Sequence, residues 1–402
     1  MKILVMKFGG TSVGDIDKIK NVSNIVKKEA KNFKIVVVLS AMAGVTNNLQ
    51  SYIDQINSNF SADSDFVITS GEQVSVGLLS MILNKMNIKS LSLLGWQVPI
   101  ITDNSYGKAR IIKIENKFIK EHLKKYQVIV VAGFQGISIE GNISSLGRGG
   151  SDTTAVALAS SLNAERCDIY TDVEGVFTTD PNIDQTAKKI DKVAYEEMLE
   201  MSSMGAKVLQ TRSVELAMKN NLCLRVLSSS TQSLGTTIVN EEEFMEKEMV
   251  TSVSYSNNEA KITISGVPDI PGVSAKIFGV LSDNGINVDM IVQNISQDGI
   301  KANMTFTVQV HDMELAKKLI EQNKSSIKYS SLLTNSEVAK ISVIGVGMKS
   351  QSGVAKKMFE TLAGNNINIL AISTSEIKIS VLIDKKYTEQ AIKSMHKAYK
   401  LS

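Results

Sequence analysis

Ile3-Leu4-Val5-Met6-Lys7-Phe8-Gly9-Gly10-Thr11-Ser12, followed by Asp15 and a run of helix-forming residues, is the stretch on which the fold turns. Six residues rich in β-formers end at two glycines, and a helix is expected over 15–31. Runs at 35–39 and 128–132 are apolar throughout rather than alternating, which implies strands covered on both faces, as in a parallel sheet between helix layers. Strands are expected at 3–8, 34–40, 89–94, 127–134, 167–171 and 223–227. Helices are expected at 15–31, 71–87, 115–125, 151–163 and 213–221. Strand–helix alternation of this kind predicts an α/β class with a three-layer αβα sandwich.

Outward from this block the pattern changes. Residues 228–259 open with SSSTQSLGTT and carry the acidic run EEEFMEKE. They read as a boundary, with a linker at 231–259 after a catalytic domain at 1–230. A repeat follows. AKITISGVPDIPGVSAKIFGVLSDNGINVDMIVQN begins at Ala260 and AKISVIGVGMKSQSGVAKKMFETLAGNNINILAIS at Ala339. Gly272, Phe278, Leu281 and Asn287 match Gly353, Phe359, Leu362 and Asn368. Each copy continues into a third strand (302–310, 378–383) and a second helix (313–322, 388–398). The plan is ferredoxin-like βαββαβ, once at 260–335 and again at 336–402. The sequence allows both in-order folding and exchange of a strand between the two copies.

At 402 residues the chain exceeds what one core normally serves. With 44 basic and 41 acidic residues, the net charge of +3 gives no basic stripe for nucleic acid or a membrane surface. The wholly apolar runs fall far short of the roughly 18 residues of a membrane span. Two cysteines, Cys167 and Cys223, cannot build a disulfide framework and read as thiols in a reducing cytoplasm. His122, His311 and His396 stand far apart, read as surface residues, and have no metal-ligand spacing, so no protein metal site is expected.

Moving a phosphoryl group needs positive charge and aligned N–H donors rather than covalent chemistry. Neither GxxxxGK[ST] nor a GxGxxG after a strand is present, which argues against a P-loop and a Rossmann site. Five other segments suit the task. Lys7-Phe8-Gly9-Gly10-Thr11-Ser12 puts a lysine, two glycines and a helix start in one place, although Gly-Gly also serves plain turns. Leu146-Gly147-Arg148-Gly149-Gly150-Ser151-Asp152 precedes a helix. It is either a simple cap or a cradle in which Arg148 grips a carboxylate. Tyr170-Thr171-Asp172-Val173-Glu174-Gly175-Val176-Phe177-Thr178-Thr179-Asp180-Pro181 is a loop dense in oxygen acceptors. Gly205-Ala206-Lys207 sets a lysine at a helix start, against the helix dipole unless an anion is nearby. Thr69-Ser70-Gly71-Glu72-Gln73 puts Glu72 where it favours the dipole or awaits an ammonium.

In their order, KFGGTSVGD, VVVLSAMAGVTNNL (36–49), TSGEQVS, LGRGGSDTTA, TDVEGVFTTDP and GAKVL resemble the aspartokinase branch of the amino-acid kinase family, whose kinase fold is carbamate-kinase-like. The two repeats look like ACT domains. The resemblance spans essentially the whole chain. It implies transfer of the ATP γ-phosphoryl to the β-carboxylate of L-aspartate, the first step toward lysine, threonine and methionine. It places ATP near Lys7, Gly9, Gly10, Ser12, Thr171, Asp172, Phe177, Asp180 and Lys207, with Mg²⁺ on its phosphates. It places aspartate near Ser40, Thr46, Glu72, Arg148 and Ser151. Lys7, Gly10, Asp152 and Lys207 would be the catalytic set, with Asp152 orienting the lysines. No general base is required, because the attacking carboxylate is already ionised near pH 7.

Family members commonly continue GAKVL with His-Pro-Arg, whereas this chain has Gln210-Thr211-Arg212. For the repeats the resemblance implies feedback inhibition by lysine, alone or with threonine. The expected effector site is Asp269, Gly272, Asp289, Gln293 and Asn294, and homodimers or dimers of dimers would form through the ACT-like sheets. The rivals are a kinase of the same superfamily acting on acetylglutamate or glutamate, and a catalytically silent amino-acid sensor.

Overall fold

The computed structural model describes residues 2–56, 59–204, 208–231, 233–244, 248–296, 299–350 and 352–402. The chain forms two compact units. The first is Met1–Val176, Lys189–Ser202 and Lys207–Glu243; the second is Phe177–Lys188, Ser203–Ala206 and Phe244–Ser402.

In the first unit an eight-stranded sheet runs in the order Lys192–Ala194, Thr236–Val239, Leu224–Ser228, Arg166–Thr171, Ile3–Phe8, Lys34–Leu39, Val128–Ala132, Ser90–Leu93. Every neighbouring pair is parallel except Leu224–Ser228 with Thr236–Val239. The sandwich follows from strand alternation. Leu4, Met6 and Phe8 pack with Ile19, Val22 and Val26 of helix Ile16–Glu29 and with Leu79 and Leu83 of helix Gly71–Lys85. Lys7, on the other face, meets Asp152 of helix Gly150–Leu162. All six expected strands of this unit form, their ends within two residues of the expected bounds. A second, four-stranded sheet, Ile111–Ile114, Ile100–Thr102, Gln135–Ser138 and Ile143–Ser145, was not legible from periodicity, because its strands are only three or four residues long.

The stretch Ala62–Lys85 has the length and apolar character of a membrane-crossing segment. It is two helices, Ala62–Ile68 and Gly71–Lys85, and half of its most apolar window is buried.

In the second unit a six-stranded antiparallel sheet runs Asp289–Ile295, Lys301–Val308, Ser252–Pro268, Ser331–Ile344, Lys378–Asp384, Ala371–Thr374. The two long central strands pass through both halves. Lys261–Ser265 pair with residues 331–335, whereas Ser252–Ser256 pair with residues 340–344. Val250 and Val253 therefore belong to the core of the second half, with Ile341, Met358 and Leu401. Ile327 and Tyr329 belong to the core of the first, with Ile262 and Phe306. The stretch 231–259 is accordingly not a plain linker: it supplies Thr236–Val239 to the first unit and the start of a long strand to the second. The alternation Val253, Tyr255 was masked by the polar run around it.

Two other expectations change here. Residues Phe177–Lys188, read with the catalytic domain, are part of the second unit. There Thr178 and Asp184 hold His396, which is fully buried rather than on the surface. Its Nε2 lies 2.8 Å from Thr178 Oγ1 and its Nδ1 lies 3.1 Å from Asp184 Oδ2.

Candidate active site

Strand Ile3–Phe8 ends where Phe8 stacks on Tyr170, with ring centroids 4.5 Å apart. Gly9 then donates to the Tyr170 carbonyl at 3.4 Å. Gly10 follows in a space so close that a Cβ there would lie 2.9 Å from the Ala41 carbonyl, so only glycine fits. Asp15 caps the next helix by accepting from the Lys18 N–H at 2.8 Å. Ser12 Oγ donates to Ser229 Oγ at 2.8 Å, and the Ser229 N–H donates to the Thr171 carbonyl. Four strand ends thus meet at the carboxyl edge of the parallel sheet, where open α/β sheets bind ligands.

Beside this edge lies a cavity of about 700 Å³. Lys7, Ser40, Thr46, Glu72, Arg148, Ser151 and Asp152 line it together with Asn47, Gln50, Phe60 and Gln210. Lys7 Nζ is 2.6 Å from Asp152 Oδ1, and Ser40 Oγ donates to Ser151 Oγ at 3.0 Å. The Gly-rich turn needs its glycines: Gly147 and Gly149 have φ of 76° and 69°. A Cβ on Gly149 would sit 1.8 Å from Gln210 Cγ. Gln210, where His is common in the family, therefore lies across the Gly-rich turn. Arg212 donates to the carbonyls of Leu146 and Ala109 at 3.2 and 3.1 Å, tying that turn to its neighbour loop.

Glu72 is the most unusual group here. It is 2% exposed, Oε1 accepts the Ala41 N–H at 3.1 Å, and Oε2 is buried without a hydrogen-bond partner among the described residues. Burial pushes its carboxyl up to about 7, against the weaker pull of the Ala41 N–H. A buried acid with one unpaired oxygen facing a polar cavity suits a cationic ligand.

The sequence-expected residues divide into four groups. Lys7, Ser40, Thr46, Glu72, Arg148, Ser151 and Asp152 come together in the cavity. Gly9, Gly10, Ser12, Thr171 and Asp172 gather at the adjoining sheet edge, where Thr171 Oγ1 donates to Asp172 Oδ1 at 3.0 Å. Phe177 and Asp180 belong to the second unit, and Asp180 there accepts from Asn182 and from the Tyr255 hydroxyl. Lys207 lies outside the described residues. Sequence reasoning missed Ser229, which joins two strand ends, and Asp65, an acid inside an apolar helix.

In the second unit Gln293 Nε2 donates to Asp269 Oδ1 at 3.4 Å. Gly272, with φ of 91°, opens helix Val273–Asp283. Asn294 is opposite Asn303 in the sheet. Asp289 is already engaged: its Oδ2 is 2.6 Å from the Nζ of Lys340, which also lies 3.0 Å from Glu259 Oε1.

The fold and its domain order recur in known proteins. Residues 2–228 match the amino acid kinase family, and residues 262–323 and 341–399 each match an ACT domain. An aspartate kinase of Pseudomonas fluorescens (strain SBW25) is 48% identical over 406 residues, covering 100% of this chain and 98% of that protein. The crystal structure of E. coli aspartokinase III in complex with aspartate and ADP (R-state) superimposes with a TM-score of 0.84, at 26% identity and 99% coverage of both chains. The same enzyme in complex with lysine and aspartate (T-state) gives 0.78, at 25% identity and 99% coverage of both.

Proposed function

The chain belongs to the amino acid kinase family, in its aspartate kinase branch with tandem ACT domains, and on that footing we propose how its residues bind aspartate, use ATP and answer to lysine. The reaction is attack of the β-carboxylate oxygen of L-aspartate on the γ-phosphorus of ATP. A P–O bond forms, the β,γ-bridging bond breaks, and 4-phospho-L-aspartate and ADP leave, in the first step toward lysine, threonine and methionine. The observation that carries this reading is the convergence of Lys7, Glu72 and Arg148 on one cavity, with Glu72 holding an oxygen unpartnered among the described residues.

Glu72 takes the α-ammonium of aspartate and Arg148 its α-carboxylate, a bidentate partner for a guanidinium. Ser40, Thr46 and Ser151 supply hydroxyls around the rest of the substrate. Lys7, oriented by Asp152, neutralises charge that develops on the moving phosphoryl. Gly9, Gly10, Ser12, Thr171 and Asp172 hold ATP, with Lys207 as a further ATP contact and a second catalytic cation. Mg²⁺ would arrive on the ATP phosphates.

The ACT domains bind lysine, with or without threonine, at Asp269, Gly272, Asp289, Gln293 and Asn294. The lysine complex of the E. coli relative supports the class of effector. Their sheets also pair two chains into a homodimer, and binding shifts a two-state equilibrium of the kinase unit. The test is ADP formation across a panel of aspartate, glutamate and acetylglutamate, titrated with lysine and threonine singly and together. Turnover of glutamate derivatives but not aspartate would move the substrate. No ADP at millimolar aspartate and Mg-ATP would favour a silent sensor.

A further inference from the structure

Asp65 is fully buried, yet among the described residues it has no cation partner. Its carboxylate is satisfied instead by four contacts, from a turn at Gly107 and from the strand end at Ser145. The Gly107 N–H donates to both oxygens at 3.0 and 3.1 Å; the Ser145 N–H donates to Oδ2 at 2.6 Å and the Ser145 hydroxyl to Oδ1 at 2.9 Å. Burying an unpaired carboxylate is costly unless every lone pair is used, so a group of this kind fixes the chain around it. Burial raises its pKa while those same donors pull it back down.

What Asp65 joins matters. It sits on helix Ala62–Ile68, which runs through Thr69 and Ser70 into the helix that carries Glu72. Ser145 ends strand Ile143–Ser145 and leads directly into Leu146, Gly147 and Arg148. Gly107 bears on the same turn: a Cβ on Gly147 would lie 3.0 Å from the Gly107 carbonyl. One carboxylate therefore ties the segment bearing Glu72 to the segment bearing Arg148. Arg212 fastens the far side of the same turn through the carbonyls of Leu146 and Ala109.

We propose that Asp65 is a positioning residue that sets the spacing between Glu72 and Arg148, and so the fit of a substrate carrying both an α-ammonium and an α-carboxylate. The inference rests on the reading of Glu72 and Arg148 as the two ends of the aspartate clamp. It touches no substrate itself, and the ATP side of the site does not depend on it.

Steady-state kinetics of the full chain test it with three variants. Asp65→Asn keeps the shape but aims an amide at N–H donors. It is expected to raise KM for aspartate about 10- to 100-fold, with KM for ATP unchanged and kcat largely retained. Ser145→Ala removes one of the four contacts and gives a smaller rise in the same constant alone, which keeps the test open if Asp65→Asn does not fold. Arg148→Lys reports on the underlying site. If it leaves KM for aspartate unchanged, the clamp itself is misassigned. If Arg148→Lys raises that KM but Asp65→Asn and Ser145→Ala do not, or if they lower kcat and raise both KM values together, the positioning role is overturned while the clamp stands.

Discussion

The Nζ of Lys7 lies 2.6 Å from Oδ1 of Asp152, with the two side chains only 13% and 9% exposed. A lysine held this way at the end of a strand is a preorganised cation, and it costs no rearrangement when charge develops beside it. Lys7→Ala should lower kcat by at least about 10²- to 10³-fold in an ADP-release assay. It also strands the Asp152 carboxylate, so some loss of thermal stability accompanies it. The double variant Lys7→Ala/Asp152→Asn should recover stability without recovering turnover. If the double variant turns over normally, the ion pair is structural and Lys7 has no catalytic part.

Glu72 gives a signed pH prediction. Its carboxyl titrates near 7 in the fold and near 4.5 when unfolded. Below about 4.5 both states are protonated. Between 4.5 and 7 the unfolded chain releases the proton and the fold keeps it, so stability falls as pH rises through that window. At about 1.4 kcal/mol per pKa unit, the penalty above 7 is on the order of 3 kcal/mol. Denaturant melts of wild type against Glu72→Gln should therefore diverge across that window, with the variant the more stable at pH 8. On the proposed role the ionised form binds the substrate ammonium, so kcat/KM for aspartate should climb to a plateau above about pH 7. Glu72→Gln should lose both the climb and most of the affinity. A flat wild-type profile would remove Glu72 from ammonium binding.

His396 makes the opposite prediction. Burial lowers its pKa more than the Asp184 carboxylate raises it, with Lys188 adding repulsion. As pH falls below the ordinary histidine value of 6.5, the unfolded chain takes the proton first, so the second unit loses stability toward lower pH. His396→Ala also leaves Thr178 Oγ1 without this partner, a cost of about 1–3 kcal/mol. Hydrogen exchange of Phe177–Lys188 at pH 6 and pH 8 would report it. Equal protection in the wild type and in His396→Ala would show that the histidine does not hold this segment.

These groups also show where sequence reading succeeds and fails. The strands with unbroken apolar runs were legible because burial on both faces leaves no alternation to confuse. The Gly-rich turns were legible because left-handed backbone at Gly147 and Gly149 demands glycine. Asp65, His396 and Ser229 were not. Each is a polar residue whose partners are remote in sequence, and neither spacing nor propensity encodes a contact of that kind. The same holds for Ser252–Ser256, whose place in the second ACT core depends on a strand nearly ninety residues later.

The proposed effector site separates two acids that look alike in the sequence. Asp269 is partly exposed, and among the described residues its side chain accepts one long hydrogen bond, from Gln293 at 3.4 Å. Asp289 instead holds Lys340, itself only 5% exposed, so removing that carboxylate leaves a buried ammonium with Glu259 alone. It also accepts the Met290 N–H at 2.7 Å, where Met290 has φ of 47° in a sheet irregularity, so its loss frees strained backbone. Asp289→Ala should thus lower the melting temperature of the regulatory unit as well as sensitivity to lysine, and its inhibition data alone would not identify a ligand contact. Asp269→Ala should raise the lysine concentration for half-inhibition about tenfold or more, the worth of one charge-assisted contact, with melting temperature and uninhibited rate unchanged. Inhibition curves that do not move in Asp269→Ala would take the lysine ammonium away from Asp269 and place the effector elsewhere in the ACT pair.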